Sequence, residues 1–157
     1  MLKKLTTVLE QVKPAETAEA HCDGPCGVYD PASARIAAEA AASMTKKIVA
    51  LETPDAGNSA AMAAYLNTLS RYVAIKEEQA HLAKEELLVL WTDYFKPQHL
   101  EAYPELHNTF WTAAKLCSAV KVEVSVQHAQ ELMDAIKEIH TIFWATKGRD
   151  VTWYTAS

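Results

Sequence analysis

Apolar residues recur along most of this chain at the three- and four-residue steps of an α-helix. The longest such run lies between 59 and 94. There Tyr65, Leu69, Tyr72, Val73, Ala80, Ala83, Leu87, Leu90, Trp91 and Tyr94 predict one inward face, with Lys76 interrupting it. Before it, Asp30 suits a helix cap and Pro31 a first helical turn, opening an Ala-rich helix that reaches about Leu51. Pro54 to Asn58 separates the two, and Lys96-Pro97 ends the second. Pro104 opens a third helix to about Val120, with Leu106, Phe110, Trp111, Ala114 and Cys117 inward. The β-branched stretch from Val120 to Val126 reads as a bend or an early turn of the next helix. A fourth helix carries Ala129, Leu132, Met133, Ile136, His140 and Phe143, and Gly148 suits its end. Four amphipathic helices with short connections predict an all-α, antiparallel four-helix bundle. The tail Val151-Thr152-Trp153-Tyr154 is apolar and is expected to pack back or meet another subunit.

The first thirty-odd residues do not share this texture. Residues 1–20 begin with Lys3 and Lys4, but Val8 and Leu9 are followed at once by Glu10, Gln11 and Lys13, too soon for a secretory signal. The stretch ends Ala18-Glu19-Ala20, small residues that suit a processing peptidase. We read it as a removable pro-segment; the plainer reading is a tail that stays attached. Its loss leaves the side-chain charge unchanged, since Lys3, Lys4 and Lys13 balance Glu10, Glu16 and Glu19. Residues 21–31 hold Gly24, Pro25, Gly27 and Pro31 and predict a compact hook, not a regular element. The domain proper is then 21–157.

A chain of 157 residues, half of them hydrophobic, can enclose a core. Net charge is −5, with no basic cluster and no apolar run of membrane-spanning length. Nucleic acid and membrane are therefore not expected partners. A cytoplasmic location is expected. The cysteines are Cys22, Cys26 and Cys117. Three is an odd number, which argues against a disulfide framework. Cys117 reads as a small buried hydrophobe.

Cys22 and Cys26 stand beside His21. The pair alone could form a strained disulfide, hold zinc incompletely, or do nothing. Cleavage between Ala20 and His21 would change this, because the freed His21 amine can bind metal in its neutral form. That amine, the Cys22 backbone nitrogen and the two thiolates offer two nitrogens and two sulfurs. Such a set suits planar nickel(II) or copper(II), with the His21 imidazole available above the plane. Thiolate and amidate donors also make nickel(III) accessible, whereas zinc has no redox chemistry to gain. Amino-terminal copper motifs place histidine third, where this segment has Asp23.

The run His21-Cys22-Asp23-Gly24-Pro25-Cys26-Gly27-Val28-Tyr29-Asp30-Pro31-Ala32 resembles the metal hook of nickel-containing superoxide dismutases. The resemblance continues in Ala34-Arg35-Ile36, Leu90 to Pro97, Tyr103 to His107 and Ile142-Phe143-Trp144, so it spans most of 21–147. It implies a four-helix-bundle subunit of a homohexamer, matured by a peptidase cutting Ala20-His21. It implies nickel that alternates between two oxidation states while superoxide becomes oxygen and hydrogen peroxide. The implied metal ligands are His21, through amine and imidazole, Cys22, through amide nitrogen and thiolate, and Cys26. Tyr29 matches a tyrosine beside the open axial face, Asp23 belongs to the same hook, Tyr94 matches a tyrosine that pairs with Tyr29, and Lys96 a lysine near the entrance. Two positions depart: the better-known members carry glutamate at Ala37 and arginine at Gln79, a pair that supports the axial imidazole. Glu39 or His81 are the candidate substitutes.

Blander readings stand beside these. Tyr29 would otherwise cover the core, Tyr94 would belong to a helix face, and Lys96 would be a solvated charge near a helix end. His81, His99, His107, His128 and His140 are not spaced as a ligand set; His107 is the one most expected to be buried. The alternative function is a helical metal-binding or thiol protein without turnover. The uncleaved chain is expected to be inactive, and Gly24-Pro25 to be cis in the metal-bound hook.

Overall fold

The computed structural model describes residues 27–156. Among them lie five α-helices and no strand: α1 (Ala32–Val49), α2 (Ser59–Val89), α3 (Pro97–Ala102), α4 (Leu106–Val122) and α5 (Val126–Thr146). A π-helical turn, Leu90–Tyr94, continues α2. The long helices close a ring in which α1 meets α2 and α5, and α4 meets α2 and α5. This is the four-helix bundle expected from the pattern. The short α3, which the pattern did not reveal, sits in the connection between the second and third bundle helices.

Helix starts follow local chemistry. Asp30 Oδ1 accepts from the Ala32 N–H at 2.9 Å, and Arg35 N donates to Pro31 O at 3.0 Å, so Asp30-Pro31 opens α1 as its sequence predicts. Asn58 Oδ1 accepts from Ala61 N and Ser125 Oγ from His128 N, capping α2 and α5. α4 begins at Leu106, two residues after Pro104.

The core is made by Ala34, Ala38 and Ala41 of α1, Ala80, Ala83 and Leu87 of α2, Leu106, Phe110 and Cys117 of α4, and Leu132, Ile136 and Phe143 of α5. The alanines let α1 and α2 approach closely, and the larger residues of α4 and α5 fill the opposite side. Two sequence expectations fail here. Trp111 is 66% exposed, because the buried stripe of α4 runs Leu106, Phe110, Ala113, Cys117, Val120 and position 111 falls a hundred degrees off it. His107 is exposed for the same reason, with its ring edge against Trp91 at 4.6 Å, and the buried histidine is His140.

Lys76, the break in the apolar stripe, is only 2% exposed. Its Nζ donates to Val120 O at 2.5 Å, Lys121 O at 2.7 Å and Glu123 O at 2.9 Å. Three ammonium protons thus meet three carbonyls at the C-terminal end of α4, where the helix dipole is negative and its last carbonyls lack helical partners. Burial pushes the Lys76 ammonium below the usual lysine range, with Glu77 opposing.

The tail packs back. His140 Nε2 lies 2.8 Å from Val151 O, and Trp153 meets the His140 ring at 5.4 Å. Arg35 sits 4.4 Å over the Tyr154 ring, and Ala156 N donates to Glu39 Oε1 at 2.6 Å. Arg35 and Glu39 form a buried ion pair at 3.1 Å. The tail therefore spans from α5 to α1.

Candidate metal centre and the cleft beside it

The donor residues His21, Cys22 and Cys26, with Asp23, lie outside the described residues, as do the Ala20-His21 junction and the Gly24-Pro25 bond. Gly27 is the first described residue. Its φ of +64° is in the left-handed region, where a side chain would be strained. From there the chain runs through exposed Val28 to Tyr29 and the Asp30 cap.

Tyr29 meets Tyr94, with ring centroids 5.6 Å apart and tilted by 54°. The two tyrosines that the resemblance pairs, sixty-five positions apart in sequence, are thus neighbours. Tyr94 ends the π-helical turn, which the Phe95 N–H closes on Leu90 O at 3.2 Å. Such turns add one residue per helical loop and redirect the side chains that follow. Lys96 then takes an extended backbone and starts α3. His99 locks this start from both sides: its N–H donates to Lys96 O at 2.8 Å, and its Nδ1 accepts from Lys96 N at 3.1 Å. Because Nδ1 is the acceptor, a neutral His99 carries its proton on Nε2.

Gly27, Tyr29, Asp93, Tyr94, Lys96, Gln98 and His99 line an open cleft of about 400 Å³. Tyr29, Tyr94 and Lys96, all predicted from sequence, line it together. Lys96 is exposed at its rim, where its charge can draw an anion locally although the chain is acidic overall. Asp93 stands on the same wall and offsets part of that field. Sequence reasoning passed over His99, whose signal was its place three residues past the Lys96-Pro97 helix start. It also passed over Thr146 and Lys147, which reach Tyr94 from the end of α5.

The positions of the departures are plain. Ala37 is buried and apolar, and Gln79 is half-buried. Glu39 is engaged by Arg35 and by the tail, and His81 pairs with Glu85 at 3.2 Å on an exposed helix face. Among the described residues, no three His, Cys, Asp or Glu side chains gather as a metal site.

Fold and cleft together define a helical-bundle protein with an aromatic and basic cleft whose lining includes Gly27, the residue after Cys26 in sequence. Comparison with known proteins gives that class its family. The model of nickel-containing superoxide dismutases matches residues 16–147. The Superoxide dismutase [Ni] of Streptomyces seoulensis is 44% identical over 134 residues, covering 85% of this chain and 93% of the relative. That of Streptomyces coelicolor is 42% identical over the same coverage. The native structure of a nickel superoxide dismutase superposes with a TM-score of 0.71 at 42% identity, covering 82% of this chain and all of the other. The chain belongs to the nickel-containing superoxide dismutase family. Residues 148–157, with the tail just described, lie beyond the family match.

Proposed function

We propose that this chain is the precursor of an enzyme that converts two superoxide ions and two protons into oxygen and hydrogen peroxide, with nickel as its cofactor. The observation that carries the reading is the convergence of Tyr29, three residues past Cys26, with Tyr94 and Lys96 on one cleft. The donor set fits nickel: nitrogen from His21 and Cys22, and thiolate sulfur from Cys22 and Cys26, are strong donors of the kind that make a higher oxidation state accessible. When bound, nickel supplies one-electron oxidation and reduction at this site.

The chain's own residues do the rest. Lys96 attracts the anion to the cleft mouth. Tyr29 and Tyr94 line the way in and are assigned to limiting access. Asp23 belongs to the hook and is assigned to its ordering. Before cleavage the His21 nitrogen is a peptide amide and not an amine, so the residue 1–20 segment keeps the donor set incomplete.

The enzyme is assigned to a homohexamer in the cytoplasm. Ile36, Leu66 and Trp111, all more than half exposed on a single subunit, support burial of further surface in assembly. No helix among the described residues is long and apolar enough to cross a membrane.

The test is coexpression with a matching processing peptidase and nickel supply, followed by amino-terminal sequencing, metal analysis, native mass and superoxide removal. Protein that begins at His21, binds no nickel and removes no superoxide would sink the proposal. The buried Ala37 and the neutral Gln79 favour a second reading, a metal-binding relative without turnover. Stoichiometric nickel in cleaved protein, without dismutation, would select it.

A further inference from the structure

We propose that Thr146, the last residue of α5, is a positioning residue that fixes the direction of the Tyr94 hydroxyl at the cleft. The inference rests on the reading of Tyr94 as part of the site. Tyr94 Oη and Thr146 Oγ1 are 2.6 Å apart. Thr146 Oγ1 also donates to Phe143 O, at 2.6 Å. A threonine hydroxyl has a single proton, and here it is committed to the Phe143 carbonyl. In the Tyr94–Thr146 pair the phenol is therefore the donor.

This direction has a chemical consequence. With its proton held on Thr146, Tyr94 offers only lone pairs to the cleft. It can accept a hydrogen bond there, and it cannot at the same time give one to superoxide. A water molecule that donates one proton to Tyr94 Oη has its second proton left for the anionic substrate. Tyr94 thus orders a donor without being the donor.

The surroundings hold the ring for this task. Phe143 packs on it at 4.5 Å, and His99 stacks on it at 5.6 Å, with planes 17° apart. Lys147 Nζ lies 5.0 Å from the Tyr94 centroid and 5.1 Å from that of Phe143. Phe143, Thr146 and Lys147 are spaced three and four apart, so the end of α5 presents them on one face. Both partners of the hydrogen bond are half-buried, which protects it from exchange with bulk water.

The experiment compares Thr146→Val, Thr146→Ser and Tyr94→Phe in the cleaved, nickel-loaded protein. T146V keeps the shape and removes the acceptor; T146S restores it. T146V should lower kcat about fivefold, the size of one neutral hydrogen bond, with KM little changed and T146S within about twofold of wild type. In a Y94F background T146V should have no further effect. A second readout needs neither metal nor turnover. In Raman difference spectra of the metal-free full chain, T146V should raise the ratio of the higher- to the lower-frequency component of the tyrosine doublet. That change marks a phenol that has stopped donating, and it should vanish in the Y94F background. Wild-type turnover in T146V beside an impaired Y94F overturns the inference and leaves the site reading intact. Wild-type turnover in Y94F overturns both. A T146V loss that persists in the Y94F background also overturns it, since it marks general damage to α5; so does an unchanged doublet, since the phenol then never donated to Thr146. If T146V does not fold, Thr146→Ala takes its place with the same readouts.

Discussion

Replacing Lys76 by methionine isolates a charge buried where the apolar pattern of α2 demanded none. The methionine chain fills nearly the same space, so little cavity is created. What is lost is the ammonium that meets Val120 O, Lys121 O and Glu123 O at 2.5, 2.7 and 2.9 Å. The end of α4 then keeps its carbonyls without their donor, a loss of about 3 kcal/mol after the relief of desolvating the ammonium is counted. For a domain of this size that is roughly a 10 °C fall in Tm. Urea unfolding and calorimetry of the full chain would measure it. Tyr94 lies eighteen residues further along the same helix, about 27 Å at helical rise, so turnover below the melting range should be unchanged. The pH dependence carries a sign. Burial lowers the folded-state pKa of Lys76 below its ordinary 10.5, so just below pH 10.5 the unfolded chain binds more protons. Wild type should therefore gain stability relative to K76M as pH rises through that window. A K76M protein within about 0.5 kcal/mol of wild type would refute the reasoning, because the three bonds would then merely cancel the burial of the charge.

Burial pushes the Cys117 thiol up to about 12, against an opposing pull from Lys84, so it should resist alkylation at pH 8 in the folded protein and react on unfolding. As pH rises from 9.0 toward 12 the unfolded chain releases this proton first, so stability falls, and Cys117→Ala should remove that slope. Ending the chain after Gly148 uncovers the Arg35–Glu39 pair and removes Trp153 and Tyr154 from their partners. We expect a loss of about 2 kcal/mol in urea unfolding, and an unchanged midpoint would show the tail to be a passenger. Ala37→Glu places a carboxylate at a position only 1% exposed, and thermal unfolding should show a loss of about 3 kcal/mol. A variant as stable as wild type would mean that a partner for that carboxylate already stands nearby.

Much of this protein was legible before any coordinates. The 3.6-residue period, the Asp30-Pro31 start and the break at Pro54 to Asn58 determine the long helices, because they act through neighbours in the chain. The residues proposed as the donor set could be singled out in the same way, since His21, Cys22 and Cys26 lie within six residues. Local signals could not place Trp111 and His107 outside, because rotation about the helix axis decides burial and only the packed partners set that angle. Lys76 read as a flaw in a stripe until the end of α4, forty-four residues away, supplied its acceptors. That Glu39 also receives the tail, 117 positions away, only the packed structure decides. The cleft itself belongs to tertiary structure. Tyr29, Tyr94 and Thr146 come from three separate parts of the chain, and only packing decides that two of them share a wall and that the third directs a hydroxyl proton.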